Sequence, residues 1–206
     1  MTNLKGGYKS LIVYWIALEI YDLTVIFCNR FIDKKSRTHD QMVQAARSGK
    51  QNIVEGLLEP SVESNIKLTG VARASYGELL EDYQDYLRQN NLSIWAKDDE
   101  RVIKIRKMRI NPNESNESNK SNLTNLTYGS YLINGECFAN LMLTFCFKEG
   151  YLLDQLVRAQ QEKFIKTGGF RENLFQKRIE YKKRKNAMDV KDNFICRTSI
   201  KRPRTA

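Results

Sequence analysis

Six cations fall within nine residues at Lys177, Arg178, Lys182, Lys183, Arg184 and Lys185, and Lys201, Arg202 and Arg204 follow at the end of the chain. Ammonium and guanidinium groups at that density displace the counterions condensed on a polyanion, so the chemistry they offer is electrostatic binding of RNA or DNA phosphates. The competing reading of the same residues is a tail that only keeps the chain soluble. Residues 171–206 hold 12 Lys or Arg against 4 Asp or Glu, whereas residues 1–170 hold 22 against 20, so nearly all of the net charge of +10 sits in one appendage.

Groups able to carry catalysis are sparse. Cys28, Cys137, Cys146 and Cys196 form no C-x-x-C pair and lie far from any histidine at ligand spacing, which reads as reduced core thiols and no metal site. His39, the only histidine, opens a helix with no acid or nucleophile set against it, and is expected on the surface. A di-iron bundle needs a Glu-x-x-His pair on each of two helices, which one histidine excludes. Glu81, Asp82 and Asp85 crowd the polar side of a helix, where carboxylates are ordinarily solvated. Without a phosphate loop, H-E-x-x-H or G-x-S-x-G, the expectation is a protein that is not an enzyme and holds no cofactor and no metal.

The elements that must present these groups read as helices. Leu11, Tyr14, Leu18, Tyr21, Val25 and Cys28 step by three and four, predicting helix 1 over Tyr8 to Asn29 with that stripe as its core face. Trp15, Ile16, Leu23, Ile26 and Phe27 make it apolar over most of its circumference, as in a helix that contacts other subunits or one set deep among its neighbours. Its N-terminus lacks an export signal, and the run Leu11 to Ile20, interrupted by Glu19, is too short to span a bilayer, giving a soluble, cytoplasmic chain with no membrane partner.

Thr38-His39-Asp40-Gln41 has the form of a capping box and starts helix 2, whose apolar stripe is Met42, Ala46, Gly49, Ile53 and Leu57. Ala45, Ala46, Ser48 and Gly49 admit a close neighbour, Gly56 suits a left-handed terminus and Pro60 forbids continuation. Ser61 caps helix 3, with Leu68, Ala72, Tyr76, Leu79, Tyr83 and Tyr86 inward, until Asn90-Asn91 breaks it. Ile94 to Arg109 is a shorter amphipathic segment. Residues 113–127 repeat Asn-x-Ser/Thr five times, predicting a disordered loop at 111–128. Phe138, Leu141, Phe145, Leu152, Leu156 and Ala159 mark helix 4 from Tyr131 to Lys166, ended by Gly168-Gly169; a basic helical stretch follows, and the last fifteen residues read as flexible.

Asn52 and Glu55 share one face near the C-terminal end of helix 2, where an acid opposes the macrodipole; Arg47 or Arg73 is placed to compensate it, a structural role rather than a ligand site. Gln41, Ala45-Ala46-Arg47-Ser48 and Asn52-Ile53-Val54-Glu55-Gly56, with Ala72-Arg73-Ala74-Ser75-Tyr76-Gly77-Glu78-Leu79, resemble the signature of the bacterial four-helix bundle proteins encoded in intervening sequences of 23S ribosomal RNA genes. Ala139-Asn140, Tyr151 to Asp154, Phe164 and Gly168-Gly169-Phe170-Arg171-Glu172 are similar to the subgroup bearing a C-terminal suffix, so that residues 8–92 and 131–185 are covered. The resemblance implies a ring, typically a pentamer, without known enzyme activity. It also implies kinship with the accessory variability protein of diversity-generating retroelements, which binds nucleic acid and a reverse transcriptase. The repeat at 113–127 departs from the pattern.

The expected fold is therefore all-α: an antiparallel up-and-down four-helix bundle over 1–170 with a basic C-terminal extension over 171–206. The expected function is an oligomeric, non-enzymatic nucleic-acid-binding accessory protein. The alternative is a scaffold that docks another protein, such as a reverse transcriptase, on the bundle surface.

Overall fold

The computed structural model describes the backbone of residues 7–108 and 128–199, and side chains as far as Met188. Among the described residues there are helices and no strands: α1 (Ile12–Phe31), α2 (Arg37–Leu58), α3 (Val62–Gln89), α4 (Glu100–Lys107), α5 (Gly135–Thr167) and α6 (Phe170–Ser199), preceded by a short 3-10 turn at Tyr8–Ser10. α1 and α3 each pack against both α2 and α5, and α4 packs against α5. The repeat at 113–127, and with it all of the expected loop at 111–128 except Tyr128, lies outside the described residues. Tyr128 itself is buried, its ring edge-on to Phe145.

α1 turns inward a face other than the predicted one. Val13, Ile16, Ala17, Ile20, Leu23, Thr24, Phe27 and Cys28 are buried, whereas Leu11, Tyr14, Leu18, Tyr21 and Val25 are only half-buried. The two stripes differ by about one residue of rotation, and both are apolar, so spacing alone does not choose between them. The run Leu11 to Ile20 was read as too short to span a bilayer, but the 20-residue helix as a whole is, by length and composition, apolar enough to cross a membrane. Core helices share that character.

Phe27 anchors the core, with its ring edge-on to Tyr83, Tyr86 and Phe138 at 5.0, 4.9 and 5.4 Å, joining α1 to α3 and α5.

α2 starts at Arg37, not Thr38, because the Ser36 hydroxyl accepts the Thr38 N–H at 3.2 Å. Serine caps better than threonine, and His39 then stands where a capping box needs Glu or Gln. The helix runs through Gly56 to Leu58, so Gly56 is not a left-handed stop. It is a contact point instead: a Cβ there would lie 3.2 Å from both Asn65 Oδ1 and Leu68 Cβ. Gly49 is tighter, since its Cβ would meet Tyr76 Cζ at 2.5 Å. The small residues of α2 are thus what lets α3 approach.

Ser61 caps α3 as expected, and the chain leaves it through Asn91, whose φ of 54° lies in the left-handed region that asparagine tolerates. The segment read as amphipathic from Ile94 is not helical until Asp99 caps α4, and a turn closed by the Asp99 N–H on the Ala96 carbonyl precedes it. Asn140, on α5, holds it down: its Oδ1 accepts the Trp95 N–H at 2.8 Å and its Nδ2 donates to the Ser93 carbonyl at 2.9 Å. Asn134 caps α5, moving its start to Gly135 from the expected Tyr131. Gly168, at φ 71°, ends it.

α6 continues to Ser199, well into the stretch expected to be flexible. Extending an existing helix fixes one residue per hydrogen bond gained, which is far cheaper than starting one.

Candidate nucleic-acid interface

α6 is a 30-residue helix that no other described element packs along. Among the described residues its seam with the body is the joint at its start. There Gly169 N–H donates to Glu172 at 2.9 Å, and Glu63 lies against Gly169. Glu63 is held below the usual carboxylate range by the Ser61 hydroxyl at 2.7 Å, with further help from the Phe170 N–H.

Beyond the joint, Lys177, Arg178, Lys182, Lys183, Arg184 and Lys185 are all exposed, and none forms an ion pair among the described residues. Leu174, Phe175 and Tyr181 are exposed beside them, Tyr181 at 68%. Lys201, Arg202 and Arg204 lie outside the described residues. Cations on long free stems, interleaved with aromatic rings, supply phosphate contacts and surfaces on which a base can stack.

The residues of the signature motif are dispersed through the body. Gln41, Ser75 and Glu78 line a cleft between α2 and α3 together with Asp40, Ser48 and Asp82. Burial pushes Asp82 up to about 6, aided by Asp85 and Glu78, and in the lining the carboxyl groups of Asp40, Glu78 and Asp82 outnumber the one cation, Arg37. Asp82 thereby departs from the solvated face expected of it. Asn52 Nδ2 donates to the Ser48 carbonyl within α2 at 2.9 Å, and Ser75 donates to the Ser48 hydroxyl at 3.1 Å, tying α2 to α3.

The expected compensation of Glu55 is not made. Glu55 and Arg47 are exposed without an ion pair among the described residues, and Arg73 pairs instead with Asp154 on α5 at 2.5 Å. Solvent relieves the exposed Glu55, so no partner is required.

His39 is not a surface residue either. Its side chain is 16% exposed, Nδ1 lies 3.4 Å from Asp40, and Nε2 is buried with no hydrogen-bond partner.

Polar groups buried in the core were missed by the sequence reading. Gln160 Nε2 donates to Asn65 at 2.9 Å and Thr69 at 3.1 Å, Tyr83 donates to Thr24 at 3.0 Å, and Glu149 is fully buried. The helix-4 stripe drifts: Leu152 and Leu156 are half-buried and Ala159 is exposed, while Met142, Phe145, Glu149 and Leu153 occupy successive core positions. The signal was a carboxylate at core spacing.

Among the described residues no three His, Cys, Asp or Glu side chains converge in a metal-binding group. Cys28 and Cys146 are buried thiols, pushed up by burial, Cys28 to about 12, and are poor nucleophiles. Compared with models of protein families, with curated proteins and with solved structures, the chain matches none.

Proposed function

We propose that this chain is a non-enzymatic, self-associating accessory protein that binds RNA or DNA through α6. On this reading α1, α2, α3 and α5 form an antiparallel up-and-down four-helix bundle, α6 is its basic extension, and the chain is a cytoplasmic member of the intervening-sequence bundle family. The observation that carries the reading is the exposed run of cations, without an ion pair among the described residues, on a helix that no other described element packs along. A helix in that state gains its partner from outside the subunit, and its charge selects a polyanion. Aromatic rings among the cations favour contact with bases as well as phosphates, with little sequence discrimination. Copies gathered in a ring, as the family resemblance implies, present several such helices to one polymer and raise its residence time.

The test is direct. The full chain and a chain ending at Gly169 are titrated with a generic single-stranded RNA at several salt concentrations. The reading expects the full chain to bind with a steep salt dependence, and the shortened chain to lose most affinity and most of that slope. Retention of both by the shortened chain overturns it.

A second reading, a scaffold that docks a protein, is favoured by one surface. Between α3 and α5, Phe147 at 55% and Tyr151 at 62% exposure flank Ala74, Gly77 and Gly150, and no atom lies within 4 Å of where a Cβ on either glycine would sit. A partner that stays bound after nuclease digestion supports this reading against the first.

A further inference from the structure

Polar atoms inside a helical core are ordinarily paired, and those of the described body mostly are. Among the described residues the exceptions are His39 Nε2, Gln160 Oε1, the Tyr76 hydroxyl and Glu149, and Glu149 alone has both its polar atoms unpaired. It is fully buried on α5, and neither carboxylate oxygen has a hydrogen-bond partner. The Tyr76 hydroxyl, on the α3 side of the same core, is also buried without a partner, its ring pressed on Gly49 of α2. Cys146, one turn earlier on α5, completes a cluster of three ionisable groups, in which burial and then the Glu149 carboxylate push both the Tyr76 phenol and the Cys146 thiol up.

Only Lys148 offsets a charge on Glu149, and only in part. Lys148 is adjacent in sequence, but its Nζ donates to the Met108 carbonyl at 3.1 Å and the Arg106 carbonyl at 3.4 Å, holding the segment after α4 to α5. The buried face of α3 offers only the phenols Tyr76 and Tyr83, and that of α1 only the Cys28 thiol, which faces Met42. The buried faces of α2 and α4 offer no ionisable group. Lys50, next to Gly49, is engaged over the Tyr21 ring.

We propose that Glu149 is a proton-dependent lock: the core formed by α1, α2, α3 and α5 closes around its neutral carboxylic acid and loosens when that proton is lost. An ionised carboxylate without donors in an apolar core is too costly to persist, so the group either holds its proton or opens the structure to reach water. Burial holds Glu149 well above the usual carboxylate range, and Lys148 opposes this only in part.

The direction of the effect follows from proton counting. With its folded-state affinity raised, the native protein binds more protons at this site than the unfolded chain. The stabilisation is complete below the ordinary glutamate range and is lost as pH rises towards the folded value. For one proton the unfolding equilibrium constant grows by up to about tenfold per pH unit. Asp82 gives a slope of the same sign, but with its value at about 6 that slope is exhausted near neutrality.

Denaturant unfolding of the full chain between about pH 7 and about pH 9 reads Glu149 by difference: the Cys28 and Cys146 thiols, also pushed up, add a slope of the same sign only towards the upper end, and that slope is common to wild type and variant. The wild type is expected to lose stability across that interval, Glu149→Gln to show a much flatter profile, and Glu149→Met to exceed the wild type at the alkaline end. An infrared band of a protonated carboxylic acid in the wild type at about pH 8 reads the same proton without any variant. Equal slopes in wild type and Glu149→Gln, or the absence of that band, overturn the proposal.

Discussion

The body and α6 are built from the same secondary structure and obey different physics. In the body, helices are fixed by what they bury: Phe27, Tyr76, Tyr83, Phe138 and Phe145 are fully enclosed, and even Gly49 is dictated by a neighbouring ring. In α6, Leu174, Phe175, Tyr181 and Met188 are exposed, and the helix stands on its own backbone bonds. A substitution in the body is therefore felt as stability. One in α6 is felt only when something binds.

Reversing charge at Lys182, Lys183, Arg184 and Lys185 to Glu tests that division most strongly. Affinity for RNA at low salt is expected to fall by about a hundredfold or more, and the salt slope by about 3 to 4 units, while the denaturation midpoint stays put. Gly49→Val is the converse. It drives methyl groups into the Tyr76 ring and is expected to cost about 2 to 3 kcal/mol by denaturant unfolding, leaving RNA affinity intact in protein that remains folded. Asn140→Ala removes the acceptor for the buried Trp95 N–H and is expected to cost about 2 kcal/mol, with faster amide exchange at Trp95. Leu174→Ala sharpens the contrast from the other side: an apolar truncation at a half-exposed site of α6 is expected to change stability by less than about 0.5 kcal/mol. A large loss there would mean that α6 is packed in solution, and the division would fail.

What was legible in the sequence was local. Ser61, Asn90-Asn91 and Gly168 mark helix ends through their own hydrogen bonding and backbone freedom, and the structure uses all of them. The small residues of α2 foretold the approach of α3. What was not legible depends on distant partners. Which side of α1 faces inward is decided by α2 and α5, because the helix is apolar nearly all round. Arg73 finds Asp154 across 81 residues of chain, where helix spacing pointed only to Glu55. His39 is covered by tertiary neighbours that its one-turn context does not contain. For the candidate site the position is reversed: the cations of α6 were fully visible in sequence, and among the described residues no acid pairs with them.

The pitch of α6 has one more consequence. With a rise of about 1.5 Å per residue, the stretch from Lys177 to Lys185 is about 12 Å long. It carries six cations and the single acid Glu180. A DNA duplex places one negative charge on about every 1.7 Å of its axis, or about seven in the same distance. The net of +5 on this short rod is about two thirds of the duplex's charge over the same length and exceeds the about three to four charges of a single strand, so one strand lying alongside it is neutralised over that length without having to bend.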